Sequence, residues 1–368
     1  MRYKYIIYTA LIVLIATCLF QSCDKDCPVC PEIQTPGSYY VYFADNNGID
    51  TNYIWIADSK TDSIIDSIIT SSFIQHIDVS SDGNYLIVTK SSDSIIIYDL
   101  GTQDIVSRIY RSSVTGQDMT YIVGPENHIL VNSHLDDNIQ KYDILSGELI
   151  DEDTAFFSFN GKYNNSPYIY GTRFQYDYNL HYIFNYETME TIKQFAVIRP
   201  DGSIPHAMKM ALSADEKYFY FIIRPDKIFK YEIATDSIID SLYIINGGYW
   251  GDLKCTPDGK YLLVSEVPHD GDMMGPYGTF LIVGLDKFSA YRRVSTFGII
   301  PPDQVYPALI GEIVITPDAS KSFVGKTQGF GSNQPISINL IDFSTSAISG
   351  YPGNGVTASL AVGKKIIK

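Results

Sequence analysis

Thr61-Asp62-Ser63-Ile64-Ile65-Asp66-Ser67-Ile68 returns almost letter for letter as Thr235-Asp236-Ser237-Ile238-Ile239-Asp240-Ser241-Leu242. From residue 61 to residue 235 the offset is 174. A second pair has nearly the same spacing: Ser81-Asp82-Gly83 before Tyr85-Leu86-Ile87-Val88, and Pro257-Asp258-Gly259 before Tyr261-Leu262-Leu263-Val264. Units of about 44 residues, four to each offset, satisfy both pairs and have the length of a four-stranded propeller blade.

The unit reads as an opening strand, a Ser/Thr-x-Asp-Gly-like turn, two apolar strands separated by a polar loop, a tight turn and a last strand. Its clearest copy spans His76 to Tyr110, with strands at His76–Val79, Tyr85–Thr89, Ser94–Asp99 and Ile105–Tyr110. Further copies fall at Thr120–Ile150, Ala155–Ile198, Met210–Ile244, Leu253–Phe297 and Ile313–Tyr351. The first unit, Tyr39–Thr70, contains only the last three strands, and Val356–Gly363 has the pattern of a solitary opening strand. The expectation is an all-β, seven-bladed β-propeller closed by pairing of the C-terminal strand with the first blade. Such closure removes the open sheet edges that a linear array would leave. Ser94-Ile95-Ile96-Ile97-Tyr98 and Tyr218–Ile223 are apolar on successive residues, as a sheet covered on both faces requires.

Composition bounds the partners. The 368 residues are 45% hydrophobic and carry a net charge of −15, which excludes a nucleic-acid surface and electrostatic adhesion to anionic lipid. At the amino end, Arg2 and Lys4 precede the apolar run Ile6–Phe20 and then Gln21-Ser22-Cys23, the pattern of an export signal. Leu19-Phe20-Gln21-Ser22-Cys23 resembles a lipobox, in which Cys23 becomes the lipid-bearing first residue of the mature chain. That resemblance implies residues 1–22 as a lipoprotein signal peptide, 23–38 as a lipidated tether and 39–368 as the propeller. Asp24-Lys25-Asp26 resembles the short charged tag of surface-displayed lipoproteins, which implies the cell surface, with the inner face of the outer membrane as the alternative, and a membrane bond through the lipid alone. Cys27-Pro28-Val29-Cys30 has no second ligand pair for a tetrahedral zinc site and reads as a local disulfide or two idle thiols.

Loops leading into the first strands and loops between the second and third strands converge around a propeller's channel. The candidates they offer for ligand binding are Gln75, His76, Gln117, Asp118, Tyr176, His206, Trp250, Asp252, His269 and Glu312. This aromatic, amide and acid set suits a flat polar ligand held by stacking and hydrogen bonds. No GxSxG, HExxH or phosphate-binding glycine loop occurs, so no catalytic residue, cofactor or metal site is assigned. Asp82, Asp215, Asp258 and Asp318 recur because a turn needs a side chain that caps its own backbone.

Ser80–Val88, Thr256–Val264 and Ile341-Asp342-Phe343-Ser344-Thr345 are similar to the repeats of the YVTN-type seven-bladed propeller family. That resemblance covers residues 39 to 368 and implies fold rather than activity, since the family includes both extracellular binding proteins and sugar-lactone hydrolases. Surface lipoprotein propellers in one branch capture corrinoids for an outer-membrane transporter. The resulting expectation is an outer-membrane lipoprotein binding a small-molecule nutrient or a partner protein, with a lactonase-like hydrolase (Asp118, His206, Asp252, His269 and Glu312) and a structural envelope protein as alternatives.

Overall fold

The computed structural model describes residues 39–46, 51–71, 73–80, 82–90, 94–110, 119–123, 128–133, 138–154, 158–162, 166–174, 179–196, 207–223, 227–243, 249–267, 279–295, 309–328, 335–352 and 356–364. The expected export signal (residues 1–22), Cys23, Cys27 and Cys30 lie outside them. Among the described residues, strands β1 to β28, numbered in chain order, form seven four-stranded sheets, and the chain is a seven-bladed β-propeller. No helix among those residues is long and apolar enough to cross a membrane.

Blade one is composite, as the lone opening strand foretells. Strand β28 (Val356–Lys364) lies against β1 (Tyr39–Asn46), followed by β2 (Asn52–Asp58) and β3 (Ser63–Thr70). The closing pair is antiparallel from Tyr39↔Lys364 to Asn46↔Val356. Each other blade uses four consecutive strands; those of blade two, Ile74–Val79, Tyr85–Lys90, Ser94–Asp99 and Ile105–Tyr110, fall within two residues of the sequence expectation.

Successive apolar residues are buried because each face of a sheet meets a different neighbour. In blade two, Val88 and Ile96 pack against Tyr42, Ile54 and Ile56 of blade one. Ile87, Ile95 and Ile97, on the other face, pack against Ile129, Val131 and Ile144 of blade three. Full burial of an isoleucine or valine side chain contributes about 1.5–3 kcal/mol, so the run carries much of the blade-to-blade adhesion. The outer strand Ile105–Tyr110 alternates exposed and buried residues over its second half, as a rim strand should.

Two turns recur. In the first, Ser80, Ser213 and Thr256 each donate a hydroxyl to the aspartate two residues on, at 2.6–2.7 Å, and accept the backbone N–H five residues on. Asp82, Asp215 and Asp258 therefore hold turns, as the sequence implies. Burial works against the charge of Asp215, yet the Ser213 hydroxyl and the Lys217 N–H hold its carboxyl below the usual range. The second turn joins the third and fourth strands, and in every blade one residue there has positive φ: Asp62, Gln103, Gly147, Met189, Asp236, Phe288 and Phe343. Only one of the seven is glycine. Carboxylate and amide caps offset the strain elsewhere: Asp99 accepts the N–H groups of Gly101 and Thr102, and Asn185 those of Glu187 and Thr188.

The junction of blades seven and one carries added polar bonds. Lys321 Nζ lies 2.9 Å from both carboxylate oxygens of Asp62 and donates to the Ser59 carbonyl at 2.7 Å. Ser349 then bridges to the Asp62 carbonyl and the Ile64 N–H, extending blade seven into blade one.

In blade four, His181 is buried with its ring stacked on Phe195 at 5.3 Å and Nδ1 3.3 Å from the Thr172 hydroxyl. Burial pushes its pKa down to about 4 from 6.5. Between those values the unfolded chain binds a proton that the folded chain refuses, so stability falls as pH falls through this window. The loss should total about 3 kcal/mol once pH is below 4. Urea denaturation between pH 7 and 4 should show that loss, and His181→Phe should flatten it; an unchanged slope in the variant would assign the acid sensitivity elsewhere.

Candidate functional site

The first strand of each blade faces the central channel along one edge, where its N–H and C=O groups have no ladder partner. Left unsatisfied, such groups are costly. Three consecutive junctions solve this in the same way. Asp252 on β20 (Tyr249–Cys255) accepts the N–H of Ile313 at 2.9 Å. Glu312 on β24 (Leu309–Ile315) accepts the N–H of Leu360 at 2.8 Å. Ser359 on β28 accepts the N–H of Ile77, on β4 (Ile74–Val79), at 3.2 Å.

Each acceptor occupies the same register position, one residue before Leu253, Ile313 and Leu360 respectively. The cross-strand pairs Leu253↔Val264, Ile313↔Val324, Leu360↔Phe43 and Ile77↔Val88 fix that equivalence. His76 is the fourth member. In β20 and β24 the acceptor lies within a β-bulge, out of the ladder and free to reach the next blade, whereas His76 and Ser359 stay paired with Thr89 and Ala44 just after a bulge. A polar belt thus runs around the channel from blade six through blades seven and one to blade two.

The belt accounts for three of the sequence candidates and alters their setting. His76, Asp252 and Glu312 come together around the channel, but on strands rather than loops. Asp252 is 7% exposed, with Oδ1 on its neighbour Leu253 N–H and Oδ2 on Ile313 N–H. Trp250, expected in a loop, belongs to β20; Gln75 belongs to β4 beside His76. Gln117, Asp118, Tyr176, His206 and His269 lie outside the described residues. Ser359 was missed, although it stands in Val356–Lys364 where His76 stands in β4.

Ser359, His76 and Glu312 form a serine–histidine–carboxylate group whose order is wrong for nucleophilic catalysis. The Ser359 hydroxyl donates to Glu312 Oε2 at 2.8 Å and lies 3.2 Å from His76 Nδ1. A catalytic arrangement places the histidine between the hydroxyl and the acid, so that the ring takes the proton. Here the serine stands in the middle, is 2% exposed, and already accepts a backbone N–H.

Below the belt, on the side of the Ser/Thr-x-Asp turns, the channel holds a cavity of about 360 Å³. His76 and Glu312 line it at the belt, and Ser213, Ala214, Thr256 and Pro257 line it at the turns. Between these levels the wall is mostly small and aliphatic, interrupted by Asp78, Lys254, Cys255 and Tyr170. Burial pushes the Cys255 thiol up, so it stays protonated and acts as an apolar wall group. Tyr170 is a neutral phenol, its pKa raised by burial to about 12. Its hydroxyl sits where any side chain on Gly161 would collide, so the glycine admits the ring to the channel wall.

A fold comparison agrees with the architecture. A chain of Kuenenia stuttgartiensis hydrazine synthase superposes with a TM-score of 0.57 over 73% of this chain and 76% of that one, at 17% identity. A likeness at that identity concerns the fold alone. No protein-family model and no curated protein matches the chain.

Removing a belt acceptor should be more damaging than its exposure suggests. Glu312→Ala leaves the Leu360 N–H and the Ser359 hydroxyl without their acceptor and should cost about 1–3 kcal/mol. Glu312→Gln, which keeps one oxygen, should recover most of it in urea titration. Equal stability of the two variants would remove the belt from the list of forces that close the ring.

Proposed function

We propose that the chain is a lipid-anchored outer-membrane protein, displayed at the cell surface, whose loop-side channel face binds a small-molecule nutrient or a partner protein. The reading rests on Cys23 with its lipobox-like context and on the likeness of the repeats to YVTN-type propellers. The observation that favours binding over hydrolysis is the belt. Asp252 and Glu312, two of the five acids and histidines that a lactonase-like site would draw on, are committed to backbone N–H groups of neighbouring blades. A carboxylate so engaged is poorly placed to serve as a general base.

The loop face is the seat this reading gives the ligand, with Trp250 at the start of β20 and Tyr176, a loop residue by the sequence reading, as the stacking groups. Stacked aromatics contribute about 1 kcal/mol each beyond area burial. Calorimetry of the purified protein with cobalamin, an oligosaccharide and a sugar lactone tests this reading. Binding of one of the first two, weakened by Trp250→Ala with Tyr176→Ala while the fold survives, is expected. Catalytic turnover of the lactone that disappears in His206→Ala would replace capture by hydrolysis. The anchor is tested separately: Cys23→Ala should move the protein out of the outer-membrane fraction, and its retention there would sink the lipoprotein assignment.

A further inference from the structure

The interface between blades one and two changes character toward its loop end. Val88 and Ile96 of blade two share an apolar layer with Ile54 and Ile68 of blade one. Side chains two residues apart along a strand share a face. The next row on the blade-two side is therefore Lys90, Ser94 and Tyr110, while Arg108 stands beside Ile96 in the row before it. On the blade-one side the next row is the cross-strand pair Asn52 and Thr70. Where the apolar layer ends, two cations look onto a polar wall.

Neither cation has an anion. Among the described residues, no hydrogen bond or ion pair reaches the Lys90 ammonium or the Arg108 guanidinium. Lys90 is nevertheless only 6% exposed. Burial pushes its pKa down, and the nearby Arg108 charge adds to the effect. Asp66, which pairs with Ile56 on the facing side of blade one, is committed elsewhere. It accepts the Gln103 amide at 2.6 Å and the Ser67 N–H at 2.8 Å. A buried charge without a counter-ion is strongly destabilising, and a like charge beside it raises the cost. With 42 acidic residues against 27 basic ones, the missing partner is no result of a shortage of acids.

We propose that this junction binds a compact dianionic oxyanion of the phosphate class, either the free ion or the end group of a phosphate monoester. Its two negative charges match the two cations, with buried Lys90 at the floor of the site and exposed Arg108 at its mouth. The planar guanidinium can bond two phosphate oxygens side by side, and the ammonium a third. Ser94, small where the row before it carries Ile96, leaves space between them and offers a hydroxyl donor. Tyr110, 74% exposed, stands beside the mouth, where the organic part of an ester would emerge. A monocarboxylate would leave one of the cations uncompensated. The site lies between two blades, apart from the channel, and does not depend on the loop face binding anything.

Isothermal titration of the purified protein with inorganic phosphate, phenyl phosphate and acetate, at constant ionic strength, tests the inference. Phosphate should bind, and acetate should bind at least about tenfold more weakly, since it neutralises only one cation. Phenyl phosphate bound as tightly as phosphate would identify an ester as the ligand; phosphate bound alone would identify the free ion. Lys90→Met and Arg108→Gln should each weaken phosphate at least about tenfold. Without phosphate, Lys90→Met should melt above the unaltered protein, because it removes the unpaired charge and keeps the length of the stem. It should also lose the rise in melting temperature that phosphate gives the unaltered protein. No phosphate binding at millimolar concentration, equal affinity for acetate, or phosphate affinity unchanged in both variants overturns the proposal and leaves the loop-face reading untouched.

Discussion

Seven sheets arranged around an axis create a difficulty that no single sheet has: seven strand edges point inward, with unpaired backbone groups and no eighth element to cover them. From blade six round to blade two, the belt answers this by making one blade the hydrogen-bond partner of the next. Asp252, Glu312 and Ser359 each accept an N–H that lies in another sheet. Apolar packing between blades is strong but non-directional. The belt supplies direction, because a blade slipped by one residue would present its acceptor to a carbonyl. Asn46 adds the same kind of register lock at the far side of blade one, holding both the N–H and the C=O of Ile74 at 2.8 Å.

The same economy limits chemistry in the channel. A carboxylate or hydroxyl that completes a neighbour's backbone has its geometry fixed and its charge shared. The polar residues nearest the axis at the belt are thus poor agents of catalysis, although their identities, Ser, His and Glu, are those of a hydrolase. Function in such a molecule belongs where neighbouring blades make no claim, at the loops.

The sequence revealed the architecture because the blades are copies. A nearly identical octapeptide in blades one and five, and the Asp-Gly turns of blades two and six, set the period, and the period placed the composite blade. The positive-φ turns between third and fourth strands were less visible, since six of the seven positions hold residues such as Phe288 and Met189 in place of glycine. Local propensity there yields to the cap and to burial of the side chain. In the channel, His76, Asp252 and Glu312 stood out as polar residues at strand starts, but their service to a neighbouring blade is a relation between sheets, which spacing along one unit does not show.

The closing strand has a consequence for how the molecule is made. β28 pairs with β1 across more than three hundred residues, and it also supplies Ser359 to the belt and Leu360 to Glu312. A chain emerging from its amino end can form blades two to seven in turn, yet it cannot close the ring until this final strand has been synthesised. Until then blade one presents the bare edge of β1, a template for any stray strand. Closure of the ring therefore waits on this one strand, and a chain cut before it is marked as unfinished by the edge it leaves open.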